Sequence, residues 1–196
     1  MKKFDEKKCE EAVKLLLESF GEDIKREGLL ETPRRVAGYW KELLEGNNYT
    51  NQEIADKFKK DFVVTSNPLV VKEMKNVFSH CEHHLALMYN MTVVVAYLPK
   101  EIERGKFKVI GLSKIPRIVE LCAKRLQLQE KLAEDISECI SLATGSEDVY
   151  VNIVADHACV SARGAKSDGF TDVTSLKGRF IGDQALREEI ERKLIR

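Results

Sequence analysis

Through the first sixty residues the apolar positions recur with the 3.6-residue period of helices, and from residue 69 onward the pattern changes to that of strands. Residues 10–23, EEAVKLLLESFGED, carry one helical stripe that Gly21 can close as a C-cap. Residues 31–46, ETPRRVAGYWKELLEG, place Thr32 at an N-cap and Pro33 at the first helical position, and Gly46 stops the helix. Residues 50–58, TNQEIADKF, open with a capping box between Thr50 and Glu53. LVVKEM (69–74), MTVVVAYLP (91–99) and KFKVIGL (106–112) then predict strands. Two helices follow, one from Ser113 to about residue 126 and one over 127–145, which Gly145 ends. Residues 148–164 return to strand alternation, and 183–196 form a charged terminal helix. Helices followed by two strand pairs around a helical pair predict an α+β fold. The division is an N-terminal helical region over 1–62 and a main domain over 63–196.

Charge and composition narrow the function classes. Lys+Arg and Asp+Glu balance at 32 each, so no global field points to a nucleic acid polymer or an anionic membrane. Any anion site has to be a local cluster. The longest apolar runs have strand length, too short to span a bilayer, and MKKFDEKKCEE lacks the apolar segment of a secretory signal. The expectation is a cytoplasmic protein. Its five cysteines then predict thiols and metal ligands rather than a disulfide framework. Cys9 aligns with Val13, Leu16 and Phe20, Cys122 with Ile115, Ile118 and Val119, and Cys139 with Leu132 and Ile136. Each fits a buried helix face, where cysteine acts as a small hydrophobe. Cys81 and Cys159 remain, and both stand beside histidine.

In FSHCEHHLAL, Cys81 and His84 have the three-residue spacing that puts two ligands on one side of a helical turn. In ADHACVSARG, His157 and Cys159 are two apart, so on a strand they share a face. A fold that joins the two clusters builds a zinc site. Two cysteines and one histidine leave the fourth tetrahedral position open, the arrangement of a catalytic zinc that supplies hydroxide near neutral pH. His83 and His157 then stand beside the metal as proton carriers. The same residues also allow a closed structural site with a second histidine as fourth ligand.

Two further stretches carry chemistry. In GLSKIPRIVE, Ser113 is an N-cap and Lys114 and Arg117 are neighbours in the first helical turn. Cations there oppose the helix dipole, unless an anion occupies the helix N-terminus and meets them together. Arg163, four residues past Cys159, brings a third cation toward the metal, so zinc beside a polyanion pocket predicts a phosphorylated substrate. The alternative for Lys114 and Arg117 is a solvated basic face. In LQLQEKL, Gln129 and Glu130 occupy the first turn of the next helix. They serve either as favourable first-turn residues or as a reader of guanine, whose N1–H and amino group donate to a carboxylate.

These segments together resemble the GTP cyclohydrolase I family. CEHH, VIGLSK-x-x-RIVE, RLQLQEKL, H-x-CV-x-ARG and VTSLKGRF occur in the family's order over residues 72–180, and ETPRRVA extends the likeness to the N-terminal helix. The resemblance implies that Cys81, His84 and Cys159 ligate zinc and that His83 and His157 are the acid–base pair. It implies that Glu130 with Gln129 holds the guanine edge, while Ser113, Lys114, Arg117 and Arg163 hold the ribose–triphosphate end. The implied reaction opens the imidazole ring of GTP at C8, releases formate and yields 7,8-dihydroneopterin triphosphate after an Amadori rearrangement. The implied architecture is the tunnelling fold, an antiparallel sheet with a helical pair on one face, preceded by N-terminal helices. Its subunits form a toroidal homodecamer with active sites between neighbours.

The sequence departs from the family pattern in places. LALMYNMTVVVAYLP lacks the glycine and the histidine or lysine common there, KEIERGKFK is longer than usual, and Ala158 replaces a bulkier residue. KSDGFTDVTS also matches loosely. The competing readings are a diverged tunnelling-fold enzyme acting on a related purine or pterin, and a zinc-stabilised interaction module.

Overall fold

The computed structural model describes residues 3–66 and 68–195. Three helices come first, α1 (Glu6–Ser19), α2 (Thr32–Leu43) and α3 (Asn51–Phe58). Strands β1 (Asp61–Val64), β2 (Val70–Cys81), β3 (Leu87–Tyr97), β4 (Lys100–Glu103) and β5 (Lys106–Ile110) follow. Next are α4 (Lys114–Ala123), β6 (Leu126–Gln127), α5 (Gln129–Thr144), β7 (Val149–His157) and α6 (Ala158–Ser161). The chain ends with β8 (Thr171–Leu176), α7 (Arg179–Gly182) and α8 (Gln184–Leu194). The α+β expectation holds.

A five-stranded sheet in the order β6-β2-β3-β7-β8 forms the body, antiparallel except for the short β6 beside β2. Helices α4 and α5 cover one face, where Ile115, Ile118, Ile136 and Ile140 pack with Val93, Val95, Val151 and Ile153. The opposite face of β3 presents Val94 and Ala96, with Leu98 just beyond the strand, to Phe180 and Ile190 from α7 and α8. Burial on both faces explains why MTVVVAYL runs apolar without alternation. A smaller sheet, β1-β5-β4, stands beside the body, and the buried Tyr97 hydroxyl accepts from the Ile110 amide at 3.2 Å to tie the two together.

Local signals set several of these ends. Thr50 and Glu53 make the capping box in full at the start of α3. At the end of α1, Gly21 (φ +80°) lets its own amide reach Glu18 and the Glu22 amide reach Leu17, the paired bonds of a Schellman motif. The stretch LALMYN contains a bulge between Tyr89 and Thr92, and its left-handed position is held by Asn90 (φ +49°), a residue that tolerates that backbone. The long KEIERGKFK segment forms the β4–β5 hairpin.

Helix α1 corrects one expectation. None of its residues is buried, and Leu16 and Phe20 are 53% and 67% exposed, so Cys9 lies on an open apolar face rather than in a core. Cys122 and Cys139 are fully buried as expected, with their sulfurs 3.6 Å apart between α4 and α5.

Arg125 locks α3 and α5 around the end of α4. Its guanidinium donates to Asn51 (2.8 Å), to the Asp135 carboxylate (2.9 Å) and to the Tyr49 and Gly46 carbonyls. Gly46 fits there because it has no Cβ, which would stand 2.1 Å from the Leu121 carbonyl oxygen and 2.6 Å from that of Lys124. Those atoms belong to a helix end that cannot yield. Gly46→Ala is therefore expected to cost about 3 kcal/mol, seen as a lower thermal melting midpoint. An unchanged melt would contradict this packing.

Candidate metal centre

The geometry of the site follows from sheet register. Strand β3 lies between β2 and β7, and Met88 pairs with Ser79 on one side and His157 on the other. The C-terminal ends of β2 and β7 therefore lie at the same end of the sheet, one on each side of β3, although far apart in sequence. Beyond Cys81 the chain turns through residues 82–84, Leu85 adopts φ +54°, and the Cys81 amide donates to the Ala86 carbonyl at 2.8 Å to close the loop. A bulky residue in left-handed backbone carries strain of about 1 kcal/mol, which the closed loop offsets. The loop folds His84 back beside Cys81.

Two local expectations change here. Cys81 and His84 meet across a turn that leaves a strand, not along a helix. Strand β7 ends at His157 and Cys159 belongs to the one-turn α6, so strand alternation does not put His157 and Cys159 on a common face. Helical rotation instead carries Cys159 to the other cluster. The ligand atoms of Cys81, His84 and Cys159 lie within 4.8 Å of one another. Three donors gathered this closely could share one ion.

The chemistry of the donor set fits a cation. Burial, and then the neighbouring Cys81, push the Cys159 thiol above its ordinary value, while Arg163 opposes them. Two thiolates side by side repel unless a positive charge lies between them. Arg163 donates from its guanidinium to His84 Nε2 at 3.2 Å. A guanidinium only donates, so Nε2 carries a lone pair of the kind a metal takes.

His157 is half-buried on the other side. Its Nε2 lies 2.7 Å from Gln129 Oε1, and burial lowers its pKa, opposed by Glu130 and Asp156. Gln129 is buried at 2% exposure, and its amide nitrogen donates to the Ile153 carbonyl (2.8 Å) and the Thr171 carbonyl (3.0 Å). Its side-chain amide is thus engaged within the fold. Glu130, the next residue, is exposed in the first turn of α5. His83 is exposed with its ring 6.3 Å from that of His84.

Of the cationic group, Arg163 reaches the thiol–imidazole trio. Ser113 precedes α4 at the N-cap position without a capping bond from its hydroxyl, Lys114 is half-buried and Arg117 is exposed. Among the described residues, no hydrogen bond joins these three to the trio. Sequence reasoning passed over His80, which is buried, bonded to the Tyr39 hydroxyl at 2.9 Å and set edge-on to Trp40. It fastens α2 to the strand that carries Cys81. Its signal was its position one residue before that ligand, on the opposite strand face.

A sheet that brings two thiols and an imidazole together at its end defines an α+β protein with an open, metal-capable Cys–His–Cys centre. Comparison with known proteins makes this specific. The model of the GTP cyclohydrolase I family matches residues 9–195. The chain is 44% identical over 195 residues to GTP cyclohydrolase 1 of Clostridium beijerinckii, covering 96% of each chain. It is 44% identical over 189 residues to the same-named protein of Clostridium acetobutylicum, covering 93% of each. The chain belongs to the GTP cyclohydrolase I family. Among solved structures it is similar to archaeosine synthase QueF-Like in the apo form, with 19% identity, 58% of this chain and 96% of that chain covered, and a TM-score of 0.43.

Proposed function

We propose that Cys81, His84 and Cys159 hold a zinc ion and that the chain converts GTP into 7,8-dihydroneopterin triphosphate and formate, the first step of pterin and folate biosynthesis. The observation that carries the reading is the convergence of the trio within 4.8 Å in a chain of this family. When bound there, zinc supplies the Lewis acidity that makes water nucleophilic at neutral pH.

The chain's own residues do the rest. His157, held by Gln129, exchanges a proton with N7 of the purine, and His83 is the second acid–base group on the exposed side of the trio. With Gln129 committed inside the fold, the Glu130 carboxylate accepts from the guanine N1–H and amino group. Ser113, Lys114, Arg117 and Arg163 bind the triphosphate, with fixed cations meeting the negative phosphates.

The chain assembles as a toroidal homodecamer in which neighbouring subunits complete each site, a reading that suits the lack of any hydrogen bond, among the described residues, from Ser113, Lys114 or Arg117 to the trio. Exposed Phe62, Val63, Phe78 and Ile181 fit burial against further copies, as does β8, an edge strand paired on one side only. Five free cysteines suit the reducing cytoplasm, and no helix among the described residues is long and apolar enough to cross a membrane.

Metal removal tests the open site. Chelation is expected to abolish GTP turnover, with zinc restoring it, while circular dichroism and the melt stay nearly unchanged. A chain that unfolds on losing its metal has a structural site instead, the signature of an interaction module.

A further inference from the structure

We infer that Gln129 is a positioning residue that fixes the neutral His157 ring as the Nε2–H tautomer, with its lone pair on Nδ1. The inference rests on the proposed role of His157 and reassigns Gln129 from binding the base to directing the histidine.

The orientation of the Gln129 amide is determined by its partners. Its nitrogen lies 2.8 Å from the Ile153 carbonyl on β7 and 3.0 Å from the Thr171 carbonyl on β8, and both accept only. The NH2 group therefore faces the two carbonyls, and Oε1 faces His157 Nε2 at 2.7 Å. A flipped amide would set an oxygen against two oxygens and an NH2 group against the ring, leaving buried groups unpaired at a cost of about 1–3 kcal/mol each. An amide oxygen needs a donor, so Nε2 carries hydrogen. In the neutral ring Nδ1 then holds the lone pair.

The consequence for the reaction concerns one proton. Nε2–H is held by Gln129 Oε1, which leaves Nδ1 as the one lone pair the neutral ring can offer. The buried glutamine bridges two strands from the first turn of α5, so the ring is held by the sheet rather than by the mobile surface. A glutamine that only contacted the base would have no reason to spend all three of these bonds within the fold.

The test is solid-state nitrogen-15 NMR of full-length, zinc-loaded protein labelled in its histidine rings. With four histidines, His157 is assigned by comparison with His157→Asn. The native ring is expected to show protonated Nε2 and bare Nδ1. Gln129→Met, of similar length but without these bonds, is expected to lose that preference and to lower kcat for GTP by about 10- to 100-fold, with KM changed less than about threefold. A native ring with its proton on Nδ1 overturns the inference. So does a folded methionine variant with native tautomer and rate, or one whose KM rises while kcat holds. If that variant does not fold, the native spectrum still decides. The spectrum does not depend on turnover, so inactivity toward GTP would defeat the reaction proposed above and leave the tautomer to be judged separately.

Discussion

Cys159→Ser is expected to remove zinc and GTP turnover together while leaving the chain folded. Cys159 stands on a one-turn helix, is only half-buried, and meets Cys81 and His84 as one of three donors. Serine is a poor zinc ligand at neutral pH, and two remaining donors do not hold the ion. Losing several kcal/mol of transition-state stabilisation corresponds to a fall in kcat of at least about 10³-fold. The substitution removes no large apolar surface from the core, so the melt shifts by no more than about 1 kcal/mol of stability. Metal content by atomic emission, turnover and a thermal melt check the three parts. A variant that keeps its zinc and its rate would remove Cys159 from the ligand set.

His157→Asn separates an open site from a closed one. The His157 ring is held by Gln129, and the gathered trio does not include it. The variant is therefore expected to retain zinc, to bind GTP with little change in KM, and to lose about 10²- to 10⁴-fold in kcat, the range of general acid–base catalysis. Loss of the metal along with the rate would instead make His157 a fourth ligand.

Much of this was legible in the sequence because it rests on local rules. The Thr50–Glu53 capping box, Gly145 at the end of α5 and the buried stripes around Cys122 and Cys139 are all set by neighbours within a turn or two. The pairing of CEHH with H-x-C was legible as chemistry, since neither cluster alone has enough donors. What escaped depends on the fold. Strand alternation placed Cys159 beside His157, but the strand ends there, and the turn of α6 carries the thiol to Cys81. Helical periodicity alone cannot tell a core stripe from an open one, so the face of α1 around Cys9 read as buried. The bonds that Gln129 makes escaped for a different reason. Its partners at Ile153 and Thr171 are backbone carbonyls, which every residue has, so no pattern of side chains announces them.

The departures from the family pattern leave the trio and His157 in place. Asn90 holds the left-handed bulge in LALMYN and donates to Asp156 at 2.7 Å, one residue from His157. The longer KEIERGKFK segment is absorbed by the β4–β5 hairpin, whose turn uses Gly105 at φ +74°.

The most direct measurement is turnover of GTP by the purified, zinc-loaded chain, quenched by oxidation and read as fluorescent neopterin triphosphate with formate counted in parallel. The account predicts both products in equal amounts, and neither from Cys159→Ser. A folded, zinc-loaded native chain that yields neither product would contradict it.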